Sequence, residues 1–153
     1  MGAAARTLFD SDYVEWTARM AELLREGHLE DVDLEHLAEE IEDLGNSERS
    51  AVSSQLHRML KHLVKLRIQP ERHSRRWIGS ITEGRSEIEY KIDHSPSLRR
   101  HAEENLQKIC RRAVRDALAE AGLEERVEEL RIPLECPRKF SELLERRSGL
   151  VRR

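Results

Sequence analysis

The chain is 153 residues long, which is enough for one domain with a substantial hydrophobic core. Charged residues make up 37% of it and aromatic residues only 4%, a composition that favours long amphipathic helices and disfavours β-sandwiches and barrels. The net charge of −3 argues against a dedicated nucleic-acid-binding protein, and no segment approaches the roughly 18 apolar residues of a membrane span.

The first predicted helix is bounded by clear start and stop signals. Asp10 or Ser11 can cap a helix that runs from about Ser11 to Glu26, and Gly27 ends it. Residues at helical spacing give this helix an apolar face that consists of Tyr13, Trp16, Met20, Leu23 and Leu24. We expect that face to be buried.

A much longer second helix is predicted from Leu34 to about Ile68, after Asp33 as N-cap and before Pro70. Its apolar stripe lies within about 60° of Ile41 on a helical wheel and consists of Leu34, Leu37, Leu44, Val52, Leu56, Met59, Leu63 and Leu66. The stripe continues across residues 45–47, which favours one helix that bends there. A break, with Ser47 capping a new helix, is the alternative.

The rest of the chain predicts two more main helices and a short last one. A third helix runs from about Ser74 to Ile92, with inward residues Trp77, Ile78, Ile81, Ile88 and Ile92. The fourth starts with Ser95 as N-cap and Pro96 in its first turn, and it ends at Gly122. Its inward residues are Leu98, Ala102, Leu106, Ile109, Ala113 and Ala117. The last helix starts at Pro137 and packs through Phe140, Leu143 and Leu144.

These elements predict an all-α fold, a helical bundle of four main helices with a long second helix and a short C-terminal helix. We expect residues 1–153 to form a single helical domain. Residues 1–10 are expected to be flexible, and residues 124–153 to form a loop and a short docking helix.

Three polar residues, Glu48, Gln55 and His62, recur every seven residues beside the apolar stripe of the second helix. Arg85 lies on the inward stripe of the third helix. Because a buried charge needs a partner, we predict that Glu48 and Arg85 form a buried ion pair whose hydrogen bonds Gln55 and His62 complete. The alternative is a polar pocket for a small ligand or metal, although the Glu-x-x-His pairs of di-iron bundles are missing.

Positive charge is concentrated in a basic face that consists of Arg58, Lys61, Lys65, Arg72, Arg75 and Arg76. One interpretation is a solvated face with ion pairs to the first helix, or to the acidic first half of the second helix in a partner. The other is binding of an anion, such as RNA or a nucleotide. The acidic residues Glu39, Glu40, Glu42 and Asp43 point in different directions, which favours a solvated face over a metal site.

Cys110 and Cys136 are far apart in the sequence and show no metal-ligand spacing, so we expect two free thiols in a reducing compartment. The N-terminal residues contain no secretory hydrophobic core, which also favours the cytoplasm. We identify no catalytic residue, no metal site and no cofactor from the residue patterns.

Several motifs occur in a recognisable order, and they are Leu37-Ala38-Glu39-Glu40-Ile41-Glu42-Asp43-Leu44-Gly45, His62-Leu63-Val64-Lys65, Gln69-Pro70, Ser95-Pro96-Ser97-Leu98 and Cys136-Pro137. This order resembles a bacterial and cyanobacterial family catalogued as domain of unknown function twenty-nine, over residues 13–144. The resemblance implies an all-helical fold and no established activity.

The interpretation we favour is a non-enzymatic protein-interaction or adaptor module with an unknown protein partner, or one that forms a homo-oligomer through the second helix. An alternative is binding of nucleic acid or a phosphate-bearing ligand through the basic face. A third is a metal-dependent hydrolase that uses Glu48 and His62. We expect no membrane partner.

Overall fold

The computed structural model describes residues 8–133 and 135–145, which are mostly helical and contain no β-strand. The chain forms two compact units, residues 1–47 (unit 1) and 48–153 (unit 2). The all-α class is confirmed, as are the long second helix and the short C-terminal one. The expectation that residues 1–153 form a single helical domain stays a prediction. Of the expected flexible segment 1–10, residues 1–7 lie outside the described residues, and residues 8–10 are helical.

Unit 1 contains helix α1, which spans Tyr13–Glu26. Its N-cap is Asp12, one residue beyond the predicted position, and the Asp12 carboxylate accepts a hydrogen bond from the Glu15 backbone N–H at 3.0 Å. Gly27 ends the helix in the left-handed conformation, as predicted. The core of unit 1 consists of Trp16, Met20, Leu23 and Val32.

The expected burial of Tyr13 and Leu24 on the α1 face is wrong, because both side chains are exposed. On a helical wheel Tyr13 and Leu24 lie next to each other at one edge of the stripe that Trp16, Met20 and Leu23 define, so the core of unit 1 leaves that edge in solvent.

Helix α2 spans Leu34–Ile68, as predicted, and continues through residues 45–47 without a break. Asp33 precedes it, and the Asp33 carboxylate accepts a long hydrogen bond of 3.5 Å from the His36 N–H. The apolar stripe of α2 has two different environments. Its second half is buried through Val52, Leu56, Met59 and Leu63, whereas Leu34, Ile41 and Leu44 in the first half are exposed.

Unit 2 contains, besides its part of α2, helices α3 (Arg75–His94), α4 (Ser97–Ala121), α5 (Val127–Leu130) and α6 (Phe140–Leu144). Short 3₁₀ turns occupy Pro70–Arg72 and Glu124–Arg126. Ser74 caps α3 and Gly122 ends α4, as predicted. The predicted starts of α4 and α6 are wrong by one and three residues. Pro96, and not Ser95, is the N-cap of α4, and α6 starts at Phe140 after Lys139 as N-cap, whereas Pro137 lies outside the helix.

The inward residues predicted for α4 and α6 are buried, as are Ile81, Ile88 and Ile92 of α3. Ile78 was expected to be inward but is exposed, because it lies at the edge of that stripe in the first turns of α3. Trp77, also expected in the core, is half-buried. Within the described residues, no helix is both long enough and apolar enough to span a membrane.

Candidate functional site

A cleft of about 670 Å³ in unit 2, here called the cationic cleft, contains most of the predicted basic face. Its walls include Arg58, Lys61, His62, Lys65, Arg76 and Trp77. Arg58, Lys61 and Lys65 share the cleft because their spacing places them on one side of α2. Arg72 and Arg75 are exposed and do not line the cleft.

The cationic cleft carries its own counter-charges. Glu120 on α4 accepts a hydrogen bond from Lys61 Nζ at 2.7 Å and a second one from Lys65. These hydrogen bonds and the two ammonium charges lower the pKa of Glu120 to about 2, although burial acts in the opposite direction. Arg58 lies 3.8 Å from Glu83 on α3. In the described structure the ion-pair partners of Arg58, Lys61 and Lys65 therefore come from α3 and α4, where the first helix was expected. Pairing with the acidic half of α2 in a partner stays a prediction.

Two nitrogen atoms of residues that line the cleft, Arg58 Nε and His62 Nδ1, are buried without a hydrogen-bond partner in the described structure. Burial lowers the pKa of His62, and the charges of Lys61 and Lys65 lower it further, so its imidazole is neutral at pH 7. Lys65 Nζ lies 5.3 Å from the centre of the Trp77 ring, within cation–π distance. An anion could bind here in competition with Glu120.

The predicted buried ion pair between Glu48 and Arg85 is wrong. Glu48 accepts a hydrogen bond from Lys91 Nζ at 2.8 Å, and the Glu48 side chain is 52% exposed. Arg85 Nε donates to the Leu143 carbonyl oxygen at 2.9 Å. Arg85 thus connects α3 to α6, and Glu48 belongs to the surface of unit 2.

The three polar residues that recur every seven residues on α2 nevertheless face three residues with the same spacing on α3, which are Lys91, Gly84 and Trp77. The two series run in opposite directions. Glu48 contacts Lys91, and the ring centres of His62 and Trp77 are 6.4 Å apart. Between them, a Cβ built on Gly84 would lie 3.9 Å from Gln55 Oε1, a buried atom without a hydrogen-bond partner among the described residues.

This register explains why the Glu48–Arg85 prediction failed. Arg85 lies six residues from Lys91, the residue of α3 that does reach Glu48. At about 1.5 Å per residue, this separation is about 9 Å along α3. Helical periodicity identified the face of each helix but not the height at which the two helices meet.

The Glu48 and His62 pair considered for a metal-dependent hydrolase cannot bind one ion. Both lie on the same unbroken helix, 14 residues apart, which corresponds to about 21 Å along its axis. No group of three or more His, Cys, Asp or Glu residues with metal-binding geometry occurs in residues 8–133 and 135–145. Glu48 and His62 therefore do not support the hydrolase hypothesis.

Unit 1 contains a second candidate surface on the first half of α2, here called the apolar-acidic face. Its apolar part consists of Leu34, Ile41 and Leu44, which are 63%, 60% and 69% exposed. Glu40 and Glu42 flank this apolar stripe on opposite sides, and Glu35, Glu39 and Asp43 lie on other sides of the same helical segment. Within residues 8–133 and 135–145, seven of the nine exposed large hydrophobic residues belong to unit 1, so exposed apolar surface is concentrated there.

Sequence reasoning missed the acidic partners of the basic face. Glu120 carried no signal in the sequence, because it lies 59 and 55 positions from Lys61 and Lys65 and is one of many acids on charged helices. Two other polar contacts between α2 and α4 were missed for the same reason. They are His57 with Asp116 at 2.9 Å and Ser53 with His101 at 3.0 Å.

The fold and these surfaces define a helical protein with two candidate binding sites and no identified catalytic group. The chain belongs to the family described as Domain of unknown function DUF29, whose model matches residues 8–147. This match confirms the resemblance drawn from the motifs. No curated protein and no solved structure matches the chain.

Proposed function

We propose that the protein is a cytoplasmic, non-enzymatic protein-interaction module whose docking surface is the apolar-acidic face of α2. The observation that carries the proposal is the exposure of Leu34, Ile41 and Leu44 on one side of this helix. Their 3-4-3 spacing with the half-buried Leu37 is the spacing by which one helix packs against another. Contiguous apolar surface of this kind is typical of an interaction site.

The charge of this helical segment supports one class of partner. Residues 34–48 contain six acidic residues and no lysine or arginine. Two copies of this face would bring acid against acid, which opposes self-association through it. A basic amphipathic helix offers apolar residues to the stripe and opposite charges to its flanks. We therefore infer a different protein, with such a helix, as the partner.

The proposal can be tested with two synthetic helical peptides of equal length, one built from leucine and lysine and the other from leucine and glutamate. We expect the full chain to bind the basic peptide, in fluorescence anisotropy, and not the acidic one. Ile41→Gln with Leu44→Gln should weaken binding at least about tenfold, the equivalent of about 1.4 kcal/mol. The matched control is Ile78→Gln, which changes an exposed isoleucine of unit 2.

Two outcomes would contradict this proposal. One is equal loss of peptide binding in the Ile78→Gln control, because the peptide would then bind unspecifically. The other is a dimer in sedimentation velocity that Ile41→Gln with Leu44→Gln dissociates, because self-association would then replace the basic partner. The free energy of unfolding of both variants should lie within about 0.5 kcal/mol of that of the parent, since the changed side chains are exposed.

A second candidate function is binding of a phosphate-bearing ligand in the cationic cleft. The observation in its favour is that Arg58 Nε and His62 Nδ1 are buried without a hydrogen-bond partner in the described structure. Titration with inorganic phosphate and with a short RNA, followed through the tryptophan fluorescence of the chain, tests this function, because Trp77, one of the two tryptophans, lines the cleft. Arg76→Gln should reduce the response, and Arg72→Gln, outside the cleft, should preserve it. No response to either ligand would reject it.

A further inference from the structure

The two cysteines of the chain lie together in unit 2, although 26 positions separate them in the sequence. Cys110 is on α4 and only 5% exposed. Cys136 belongs to the connection between α5 and α6, is half-buried, and packs against the same core cluster as Cys110. Both are free thiols, and both line a small apolar cavity of about 40 Å³.

The side chain of Gln107 holds Cys136 in this position. The Cys136 backbone N–H donates to Gln107 Oε1 at 2.8 Å, and Gln107 Nε2 donates to the Cys136 carbonyl oxygen at 3.4 Å. Gln107 precedes Cys110 by three residues, so the two side chains leave α4 on neighbouring turns of one face. The amide of Gln107 thus fixes the backbone of Cys136 alongside the Cys110 thiol.

The two thiols differ in access and in acidity. Cys136 also lines an open cleft of about 510 Å³, together with Arg138 and Lys139, whereas Cys110 does not. The hydrogen bond with the neighbouring Cys110 thiol lowers the pKa of Cys136, and this effect is larger than the rise that burial causes. The backbone N–H and the charge of Arg138 lower the pKa further. Interaction with Cys136, followed by burial, raises the pKa of Cys110. Cys136 is therefore the thiol that a reagent reaches and that ionises first.

We propose that Cys110 and Cys136 form a reversible dithiol–disulfide site that hydroperoxides oxidise, with Cys136 as the attacking thiol and Cys110 as the resolving thiol. In the first step the Cys136 thiolate attacks the outer oxygen of the hydroperoxide. An S–O bond forms, the O–O bond breaks, and the leaving alkoxide or hydroxide takes up a proton. The sulfur is oxidised to a sulfenic acid, and the peroxide is reduced to an alcohol or water.

In the second step Cys110 sulfur attacks the sulfenic sulfur of Cys136. The S–S bond forms, the S–O bond breaks, and hydroxide leaves with the Cys110 proton as water. The oxidised chain has lost two hydrogen atoms in total. A dithiol reductant restores both thiols by exchange, so the site is compatible with a reducing compartment. The disulfide would tie the connection before α6 directly to α4.

The test uses the full chain, treated with hydrogen peroxide at pH 7 and then alkylated in denaturant before peptide mapping. We expect a Cys110–Cys136 cross-link within one chain, with a mass about 2 Da lower, that dithiothreitol reverses. In Cys110→Ala the sulfenic acid on Cys136 should persist and react with dimedone. In Cys136→Ala we expect Cys110 to stay reduced over the same time.

A control in urea separates the folded site from ordinary thiol chemistry. We expect the unfolded chain to react with peroxide at least about tenfold more slowly, because its cysteines have unperturbed acidity and no fixed neighbour. Three results would overturn the proposal: equal rates in the folded and unfolded chain, cross-links only between chains, or faster oxidation of Cys110 than of Cys136. Circular dichroism of both variants establishes that they fold.

Discussion

Lys91 Nζ donates a hydrogen bond to Glu48 Oε2 at 2.8 Å, across 43 positions of sequence. This contact fixes the height at which α2 and α3 meet in unit 2. It also lies at the surface, since the Glu48 carboxylate is in contact with solvent. The hydrogen bond and the charge of Glu48 raise the pKa of Lys91 above its usual range, although burial acts against them.

A double-mutant cycle on Glu48→Gln and Lys91→Met should give a coupling free energy below about 1 kcal/mol. The physical reason is that water and salt screen an exposed ion pair. Chemical denaturation of the four proteins measures the coupling. A coupling of about 3 kcal/mol or more would instead place Glu48 in a low-dielectric site, as a buried ion pair requires.

Gly79 and Gly84 both lie inside α3, but their substitutions should differ. A Cβ on Gly79 would meet nothing within 4 Å, so Gly79→Ala should stabilise unit 2 by about 0.5–1 kcal/mol through helix propensity alone. A Cβ on Gly84 would lie 3.4 Å from Met59 Cβ, which an alanine can still accept. Gly84→Leu should destabilise by about 1–3 kcal/mol, because the larger side chain overpacks this contact.

The measurement for both glycines is thermal or denaturant unfolding, with Gly79→Leu as the matched control for size. Gly79→Leu should be tolerated, since its neighbourhood is open. Equal destabilisation by Gly79→Leu and Gly84→Leu would contradict the close approach of α2 and α3 at Gly84.

The Asp33–His36 pair of unit 1 predicts a pH optimum. The His36 ring lies 2.7 Å from the Asp33 carboxylate and stacks on Phe9. Burial raises the pKa of Asp33, but hydrogen bonds from His36 outweigh it and leave the pKa below its usual value. The hydrogen bond to Asp33 raises the pKa of His36 despite burial, with smaller effects from the charges of Asp33, Glu39 and Asp10.

The signs follow from linkage. Asp33 contributes stability above its unfolded pKa of about 3.9, and this contribution is lost as the pH falls through the lower folded pKa. His36 contributes stability below its unfolded pKa of about 6.5, and this contribution is lost as the pH rises through the higher folded pKa. The pair should therefore stabilise unit 1 most between about pH 4 and 6.5.

An NMR titration of His36 in the parent and in Asp33→Asn tests the pair, because asparagine keeps the helix cap and removes the charge. We expect the pKa of His36 to fall toward about 6.5 in the variant. An unchanged pKa would mean that Asp33 does not hold the proton on His36.

Glu120→Gln should convert the cationic cleft into a stronger anion site. It leaves Lys61 and Lys65 without the carboxylate that both contact. At pH 7 we expect the free energy of unfolding to fall by about 1 kcal/mol. The effect is small because Glu120 is partly exposed and water and salt screen its charge. Inorganic phosphate should then raise the melting temperature of the variant more than that of the parent.

The control for Glu120→Gln is Glu124→Gln, which changes an exposed glutamate outside the cleft. It should leave both the free energy of unfolding and the response of the melting temperature to phosphate unchanged. Because the folded pKa of Glu120 is lowered to about 2, its contribution is present above its unfolded pKa of about 4.3 and is lost as the pH falls toward 2. The stability difference between parent and variant should disappear over that interval. A difference that persists at pH 2 would contradict the assignment.

Much of the fold could be read from local chemistry. Both bounds of α2 were predicted correctly, because Asp33 and Pro70 act on the backbone within a few residues. Gly27 and Gly122 ended helices for the same local reason, since each adopts the left-handed conformation that glycine favours. The buried side of α4 followed from the period of its apolar residues.

What the sequence by itself determined was therefore the elements and the faces they bury. Only the tertiary structure decided the register of α2 against α3, the ion pairs of Glu120 with Lys61 and Lys65, and the contact between Cys110 and Cys136. Helical periodicity fixes an angle around an axis but carries no information about height along it. Which of many similar acids, or which distant thiol, reaches a given neighbour depends on how whole helices pack.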